Sequence, residues 1–174
     1  MQHQEAVNML SVPGQFESGR QLWADLGCGT GTFTLALAHH LSPGSKIVAV
    51  DKKKKVLREI PAKFKQVQIE KKVANFKKNS FQFKNMDGIL LANSLHYVRK
   101  KEAFIIKLKE ALKPYGVLII VEYDTNIFNP WVPFPISFER LEKTFKKAGF
   151  TSIEKIGEMP SRYNRSNLYS AIIQ

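Results

Sequence analysis

Short apolar runs alternate with segments of helical spacing along most of the chain. Leu22-Trp23-Ala24 continues through Asp25-Leu26 into a turn in which Gly27, Gly29 and Gly31 stand at every second position. Beyond that turn Phe33, Leu37 and Leu41 recur at i, i+4 and i+8, which predicts a helix stopped by Pro43-Gly44. Lys46–Asp51 is an apolar run closed by an acid, the pattern of a strand buried on both faces of a parallel sheet. Residues 52–60 predict a short helix halted at Pro61, and Val67-Gln68-Ile69 a third strand. Residues 71–85 are polar and irregular, with Phe76, Phe81 and Phe83 as anchors. Residues 86–93 then predict a central fourth strand, and 99–112 a helix with Phe104, Leu108, Ala111 and Leu112 on one face. Pro114-Tyr115-Gly116 turns the chain into the most apolar run, residues 117–121. A loop carrying Pro130, Pro133 and Pro135 follows, then a helix spaced by Phe138, Leu141 and Phe145 and ended by Gly149. Two last strands, near 150–156 and 168–172, close as a hairpin. The succession predicts an α/β fold: a doubly wound, mostly parallel seven-stranded sheet with an antiparallel C-terminal hairpin, in one domain over residues 1–174.

Composition narrows the class. With 174 residues, 44% of them hydrophobic, the chain can bury a core and is not disordered. No stretch approaches the ~18 consecutive apolar residues of a membrane span. The N-terminus, M-Q-H-Q-E-A-V-N-M-L, lacks the basic-then-apolar layout of a signal peptide, so a cytoplasmic protein is expected. The single cysteine, Cys28, excludes an intramolecular disulfide and a cysteine-cage zinc site, and no metal is expected. The formal net charge of +12 is uneven: residues 46–113 hold 19 of the 27 basic side chains and 6 of the 15 acids. That surplus either lies on solvated faces or meets an anionic partner, nucleic acid or a membrane surface. Lysine supplies 21 of the 27, which weighs against the bidentate phosphate and base contacts that suit arginine.

The glycine turn carries the candidate chemistry. A strand, a glycine turn and a helix place backbone N–H groups and a helix N-terminus beside a ligand. Dinucleotide folds show G-x-G-x-x-G, whereas this turn is G-x-G-x-G with Thr32 at the third glycine's place. Two acids discriminate further. Asp25, two residues before Gly27, would repel a pyrophosphate but favour a ligand carrying an ammonium and a sulfonium. Asp51 closes the next strand, where a carboxylate accepts both hydroxyls of a ribose. The combination suits S-adenosylmethionine.

Residues 23–33, W-A-D-L-G-C-G-T-G-T-F, resemble motif I of the class I, Rossmann-like S-adenosylmethionine-dependent methyltransferases. I-V-A-V-D (47–51), M-D-G-I-L-L-A-N-S-L-H-Y-V (86–98) and L-K-P-Y-G-V-L-I-I-V-E (112–122) resemble that family's second, fourth-strand and fifth-strand motifs, in the family's order. The match is to its small bacterial, stand-alone methyltransferase-domain type. The resemblance implies that Asp25, Gly27 and Gly29 hold the methionine end of the cofactor, with Cys28, Thr30 and Gly31 completing the turn. It implies that Asp51 binds the ribose while Lys52 flanks the adenine. Where the family usually has an acid-aromatic pair after strand three, this chain has Asn75-Phe76, and the amide oxygen of Asn75 can accept the adenine amino hydrogen. Asn93 and Ser94 fall under the sulfonium and methyl group. S-adenosylhomocysteine is the product the resemblance implies.

The acceptor is less constrained. In-line methyl transfer needs alignment, and a base only where the acceptor must lose a proton. His96, after the fourth strand, is the candidate catalytic base, with hydrogen-bonded packing as the competing role. Cys28 reads as a small cofactor-turn side chain rather than a nucleophile, and His39-His40 as a helix-dipole partner. The [N/D]-P-P-[Y/F/W] tetrapeptide of amino-methylating nucleic-acid enzymes is missing, since A-N-S-L-H-Y stands in its place. Phe128, Trp131 and Phe134 in the loop 124–136 are a candidate acceptor wall or equally a hydrophobic lid anchor, and Arg162, Tyr163 and Arg165 can face the same cleft or solvent. A small-molecule acceptor is expected, with RNA methylation and an inactive S-adenosylmethionine-binding protein as alternatives.

Overall fold

The computed structural model describes residues 1–16, 19–78, 82–161 and 166–174. In chain order its elements are α1 (His3–Met9), β1 (Leu22–Leu26), α2 (Thr32–His40), β2 (Lys46–Asp51), α3 (Lys54–Leu57), β3 (Lys63–Phe64) and β4 (Val67–Val73). They continue through β5 (Met86–Ala92), a 3₁₀ turn (Leu95–Tyr97), α4 (Lys101–Ala111), β6 (Leu112–Tyr123), α5 (Phe138–Lys147), β7 (Ile153–Pro160) and β8 (Asn167–Ile173). All eight strands form one sheet in the order β3-β4-β2-β1-β5-β6-β8-β7. β4, β2, β1, β5 and β6 run parallel, while β8 and β7 add the antiparallel hairpin. The expected seven strands are therefore present with an eighth, β3, paired antiparallel to β4 through Lys63↔Gln68 and Phe64↔Val67. A strand of two residues is too short to show a periodicity.

Successive strand residues point to opposite faces, and both faces are covered. On one, Ala24, Leu26, Ile89, Leu91, Leu118 and Ile120 meet α4 and α5 through Leu108, Phe104, Leu141 and Phe145. On the other, Trp23, Ile47, Leu90, Ile119 and Val121 meet α1 and α2 through Val7, Leu10, Ala36 and Leu37. Trp23 lies opposite Gly88 on β5, and a Cβ on that glycine would overlap the indole ring. The indole N–H donates to Gln21 Oε1 at 2.7 Å, so the ring is buried with its one polar group satisfied.

Several boundaries differ from the sequence reading. β4 runs on through Glu70-Lys71-Lys72 to Val73, where only Val67 and Ile69 are buried. The helix expected over 52–60 is one turn, α3, and the fourth helix begins at Lys101. Residues 113–116 join β6 as an irregularity, pairing jumping from Met86↔Leu112 to Gly88↔Val117. From β1 the chain builds outward through β2 and β4, then returns to lay β5 and β6 on β1's other side. The crevice beyond the carboxyl ends of β1, β2 and β5 lies at this reversal, where open α/β sheets bind ligands.

Candidate active site

The turn after β1 is shaped by backbone bonds. The N–H groups of Gly27 and Cys28 both donate to Val50 O, at 2.8 and 3.0 Å, tying the turn to the end of β2. Gly31 N–H donates to Cys28 O at 2.9 Å, and Gly31 then caps α2 with φ +89°. Gly27 has φ +82°, and a Cβ there would lie 2.7 Å from Ser94 Cβ and 3.0 Å from Phe76. Glycine is required twice over at that position, for the left-handed backbone and for the close approach.

Asp25 ends β1 and is 1% exposed. Its Oδ2 accepts the Thr34 hydroxyl at 2.5 Å. Burial pushes its carboxyl up to about 7; the Thr34 hydrogen bond opposes that rise and nearby Asp51 adds to it. Asp51 ends β2, with Oδ2 accepting Gly29 N–H at 3.1 Å and Oδ1 accepting Lys53 N–H at 2.8 Å. Each oxygen keeps acceptor capacity on its remaining lone pair. Burial, with the two aspartates, pushes the Cys28 thiol well above its ordinary value, which disfavours a nucleophilic thiolate.

Two cavities meet over this turn. One, about 310 Å³, is lined by Asp25, Cys28, Thr30 and Phe33, with Tyr123 and Met159 on its far side. The other, about 290 Å³, is lined by Asp51, Lys52, Val56, Asn75, Phe76 and Ser94. Gly27, Gly29 and Asn93 border both, so the two are lobes of one cleft. Asn93 adopts φ +52° and its backbone N–H donates to Val121 O at 2.8 Å. Its side-chain Oδ1 is buried without a hydrogen-bond partner. That orphaned acceptor, on a residue bordering both lobes, is open to a polar hydrogen from whatever occupies the cleft. Beneath it Ser94 Oγ donates to Leu26 O at 2.6 Å, locking β5's end to β1's.

The structure thus brings together Asp25, Gly27, Cys28, Gly29, Thr30, Asp51, Lys52, Asn75, Phe76, Asn93 and Ser94 around one cleft. Gly31 lines neither lobe and acts through α2. Asn75 Oδ1 also accepts Lys77 N–H at 3.2 Å, closing a small turn at the lobe's edge. His96 lines neither lobe. It is buried, its N–H donating to Glu122 Oε1 at 3.0 Å and its Nδ1 standing 2.7 Å from Glu122 Oε2. Trp131 and Phe134 also lie outside both lobes: Trp131 is 78% exposed, and Phe134 borders a separate groove. Arg162, Tyr163 and Arg165 lie outside the described residues.

The Asp25 lobe has walls the sequence did not point to. Met1 comes from the segment before α1 and Glu5 from α1, Tyr123 from the end of β6, and Met159, Pro160 and Leu168 from the hairpin. The N-terminal helix left only the spacing of Ala6, Val7, Met9 and Leu10, too short for a periodicity argument. Among the described residues no group of three His, Cys, Asp or Glu side chains is placed to hold a metal ion. No helix among them is long and apolar enough to cross a membrane. The cleft offers a carboxylate for a cation in one lobe and a carboxylate for hydroxyls in the other.

Comparison with known proteins agrees with this geometry. The profile of the family described as "Methyltransferase domain" matches residues 24–118, which include the glycine turn, Asp51 and the β5 end. The chain is 25% identical over 151 residues to the ubiquinone/menaquinone biosynthesis C-methyltransferase UbiE of Pasteurella multocida, covering 84% of this chain and 53% of that one. It is 30% identical over 144 residues to malonyl-(acyl-carrier protein) O-methyltransferase 2 of Coxiella burnetii, covering 76% of this chain and 56% of that one. The chain spans little more than half the length of these curated relatives. Its fold resembles that of the Burkholderia thailandensis 1,6-didemethyltoxoflavin-N1-methyltransferase, solved with its substrate and S-adenosylhomocysteine, with a TM-score of 0.72 at 14% identity. That match covers 98% of this chain and 76% of the other.

Proposed function

The chain belongs to the methyltransferase-domain family, the class I S-adenosylmethionine-dependent enzymes, and from that premise we propose that it methylates a small-molecule acceptor. The observation that carries the assignment is the two-lobed cleft whose lobes meet over Gly27, Gly29 and the partnerless Asn93 Oδ1. Its donor set fits a nucleoside joined to a charged amino acid.

Asp51 takes the ribose hydroxyls on its free lone pairs. Val56, Ala74 and Phe76 flank the adenine, and Asn75 and Lys52 stand at its edge. In the other lobe Asp25 pairs with the ligand's ammonium, while Gly27 and Gly29 let the backbone approach. Asn93 Oδ1 accepts a polar hydrogen where the lobes join. Bound there, S-adenosylmethionine supplies a methyl group activated by its sulfonium, and S-adenosylhomocysteine leaves as product. The protein's part is alignment and exclusion of water, which requires no base unless the acceptor carries a proton to be lost.

The acceptor then enters the outer part of the Asp25 lobe. Tyr123, Met159, Leu168 and Phe33 give it an apolar wall, with Glu5 and Ser161 as polar points. A mostly apolar wall with few polar groups suits a small organic acceptor. Relatives and fold neighbour support that class by name: a ubiquinone/menaquinone biosynthesis C-methyltransferase, a malonyl-(acyl-carrier protein) O-methyltransferase and a 1,6-didemethyltoxoflavin-N1-methyltransferase. They methylate carbon, oxygen and nitrogen respectively, so the class and not the atom is what they support.

Calorimetric titration of S-adenosylhomocysteine tests the cofactor half: Asp51→Ala should abolish the heat, and unchanged binding would overturn the ribose assignment. Transfer of radiolabelled methyl into cell extract divided into RNA, protein and metabolite fractions tests the acceptor half. Label in the metabolite fraction supports the proposal; label confined to RNA or protein overturns it.

A further inference from the structure

The loop of residues 124–136, between β6 and α5, is firmly held and yet turns its largest apolar side chains outward. Ile127 and Trp131 are each 78% exposed and Phe128 is 65% exposed. Asn129 Oδ1 accepts the N–H groups of Trp131 and Val132, at 3.0 and 2.9 Å. Asn126 and Ser137 exchange two hydrogen bonds, at 2.9 and 3.2 Å. Phe134 N–H donates to His96 O at 3.0 Å, and Val132 and Ile136 are buried beneath the turn. The loop is therefore preordered, and its exposed tip would lose little conformational entropy on meeting a partner.

Beside this tip lies a groove of about 590 Å³ lined by Arg99, Lys100, Lys101 and Arg140, with Phe134 on its wall. Lys101 Nζ is engaged by the carbonyls of Val98 and Phe134. Glu102, the groove's acid, is paired with Lys147 at 2.9 Å. Arg99, Lys100 and Arg140 form no salt bridge among the described residues. Scattered exposed apolar residues are ordinary. Three on one pinned turn, beside three cations without a salt-bridge partner, make the two halves of an interfacial anchor: apolar groups for the acyl boundary and charge for headgroup phosphates.

We propose that this loop and groove dock the protein on the surface of an anionic lipid bilayer. Ile127, Phe128 and Trp131 enter the headgroup–acyl boundary, and Arg99, Lys100 and Arg140 meet lipid phosphates. A single-stranded nucleic acid would call for aromatic rings interleaved with cations. Here the apolar tip stands apart from the groove lining, and Ile127 offers no ring to a base.

The test is cosedimentation of the full chain with vesicles of phosphatidylcholine alone and of phosphatidylcholine mixed with phosphatidylglycerol. Binding is expected to the mixed vesicles only, weakening as salt is added. Tryptophan emission should shift to the blue on binding; Trp23 is fully buried, so the shift reports Trp131. Arg99→Gln with Arg140→Gln should weaken binding by about thirtyfold. Ile127→Ser with Phe128→Ser should weaken it by at least about tenfold and remove the shift. Circular dichroism and thermal midpoints identify any variant that fails to fold, and the wild-type comparison of the two vesicle types stands without them. The proposal is overturned by a lack of binding to anionic vesicles at low salt, or by equal binding to neutral ones. Binding that survives in both folded double variants also overturns it, as does polyuridylate that displaces the vesicles from the same residues.

Discussion

Thr34→Val perturbs one atom of the cleft and leaves the helix that carries it intact, because valine keeps the β-branched shape. The hydroxyl it removes donates to Asp25 Oδ2 at 2.5 Å and is the interaction that holds the carboxyl's pKa down against burial. A hydrogen bond to a charged group contributes about 1.5–3 kcal/mol, and one pKa unit corresponds to about 1.36 kcal/mol. The Asp25 carboxyl should therefore rise from about 7 by roughly one to two units. An ammonium pairs with the carboxylate and not with the acid. Wild-type affinity for S-adenosylhomocysteine should be level above about pH 7 and fall about tenfold per unit below it. In Thr34→Val the fall begins one to two units higher, so at pH 7, where the wild-type carboxyl is already half protonated, the variant binds about five- to fiftyfold more weakly. Calorimetric titration across the pH series reads both curves. 5′-Deoxy-5′-methylthioadenosine, which lacks the amino-acid moiety, supplies the control and should show neither the slope nor its displacement. Equal slopes for the two ligands, or a wild-type curve that Thr34→Val leaves in place, would refute the pairing of Asp25 with the ammonium.

Asp25→Asn should raise the thermal midpoint of the ligand-free protein by about 4 °C or more while losing S-adenosylhomocysteine binding. The sign follows from a folded pKa of about 7 set above the ordinary 3.8: the unfolded chain loses its proton first, so this site costs stability as pH rises from 3.8 to 7. The gain in Asp25→Asn is accordingly largest above pH 7 and vanishes toward pH 4, which differential scanning calorimetry at the two ends checks. Gly27→Ala should cost about 1–3 kcal/mol in urea denaturation and abolish cofactor binding, since its φ of +82° and the 2.7 Å approach to Ser94 both resist a side chain. His96→Leu should cost about 1–3 kcal/mol by leaving buried Glu122 Oε2 without its partner, with a smaller loss in the double variant that also carries Glu122→Leu. Turnover per folded molecule should change little in His96→Gln; loss of one limb of the pH–rate profile would instead assign His96 a proton-transfer role.

The meeting of Asp25, Gly27, Asp51, Asn75 and Asn93 around one cleft was legible because these residues lie on four short segments and each obeys a local rule. Gly27 needs a left-handed backbone, and Asp25 and Asp51 end strands whose apolar runs announce them. Asn93 follows the β5 run in the same way. The outer wall of the Asp25 lobe was not legible, because Met1, Glu5, Tyr123 and Met159 meet only through the packing of the N-terminal segment and the hairpin across the sheet. No spacing along the chain encodes that meeting. The placement of the aromatic loop was hidden for a related reason. Its prolines and rings read as a wall, but the bond from Phe134 N–H to His96 O fixes Phe134 beside the α4 groove, outside both cleft lobes. β3 and the far end of β4 escaped because they lie at the sheet's edge, where lysines and a glutamate replace the buried run.

The indole of Trp23 lying against Gly88 also bears on how this sequence can drift. The two positions are 65 residues apart and share one volume, so neither is free alone. Any side chain at Gly88 meets the ring, and any smaller residue at Trp23 opens a void between β1 and β5. Passage to another pairing runs through a less stable intermediate in either order. The two sites should therefore covary among descendants of this chain, with a bulky residue on one strand matched by the smallest residue on the other. The aspartates at the carboxyl ends of β1 and β2 border the cleft and share no such volume, so each can change without a partner on the facing strand.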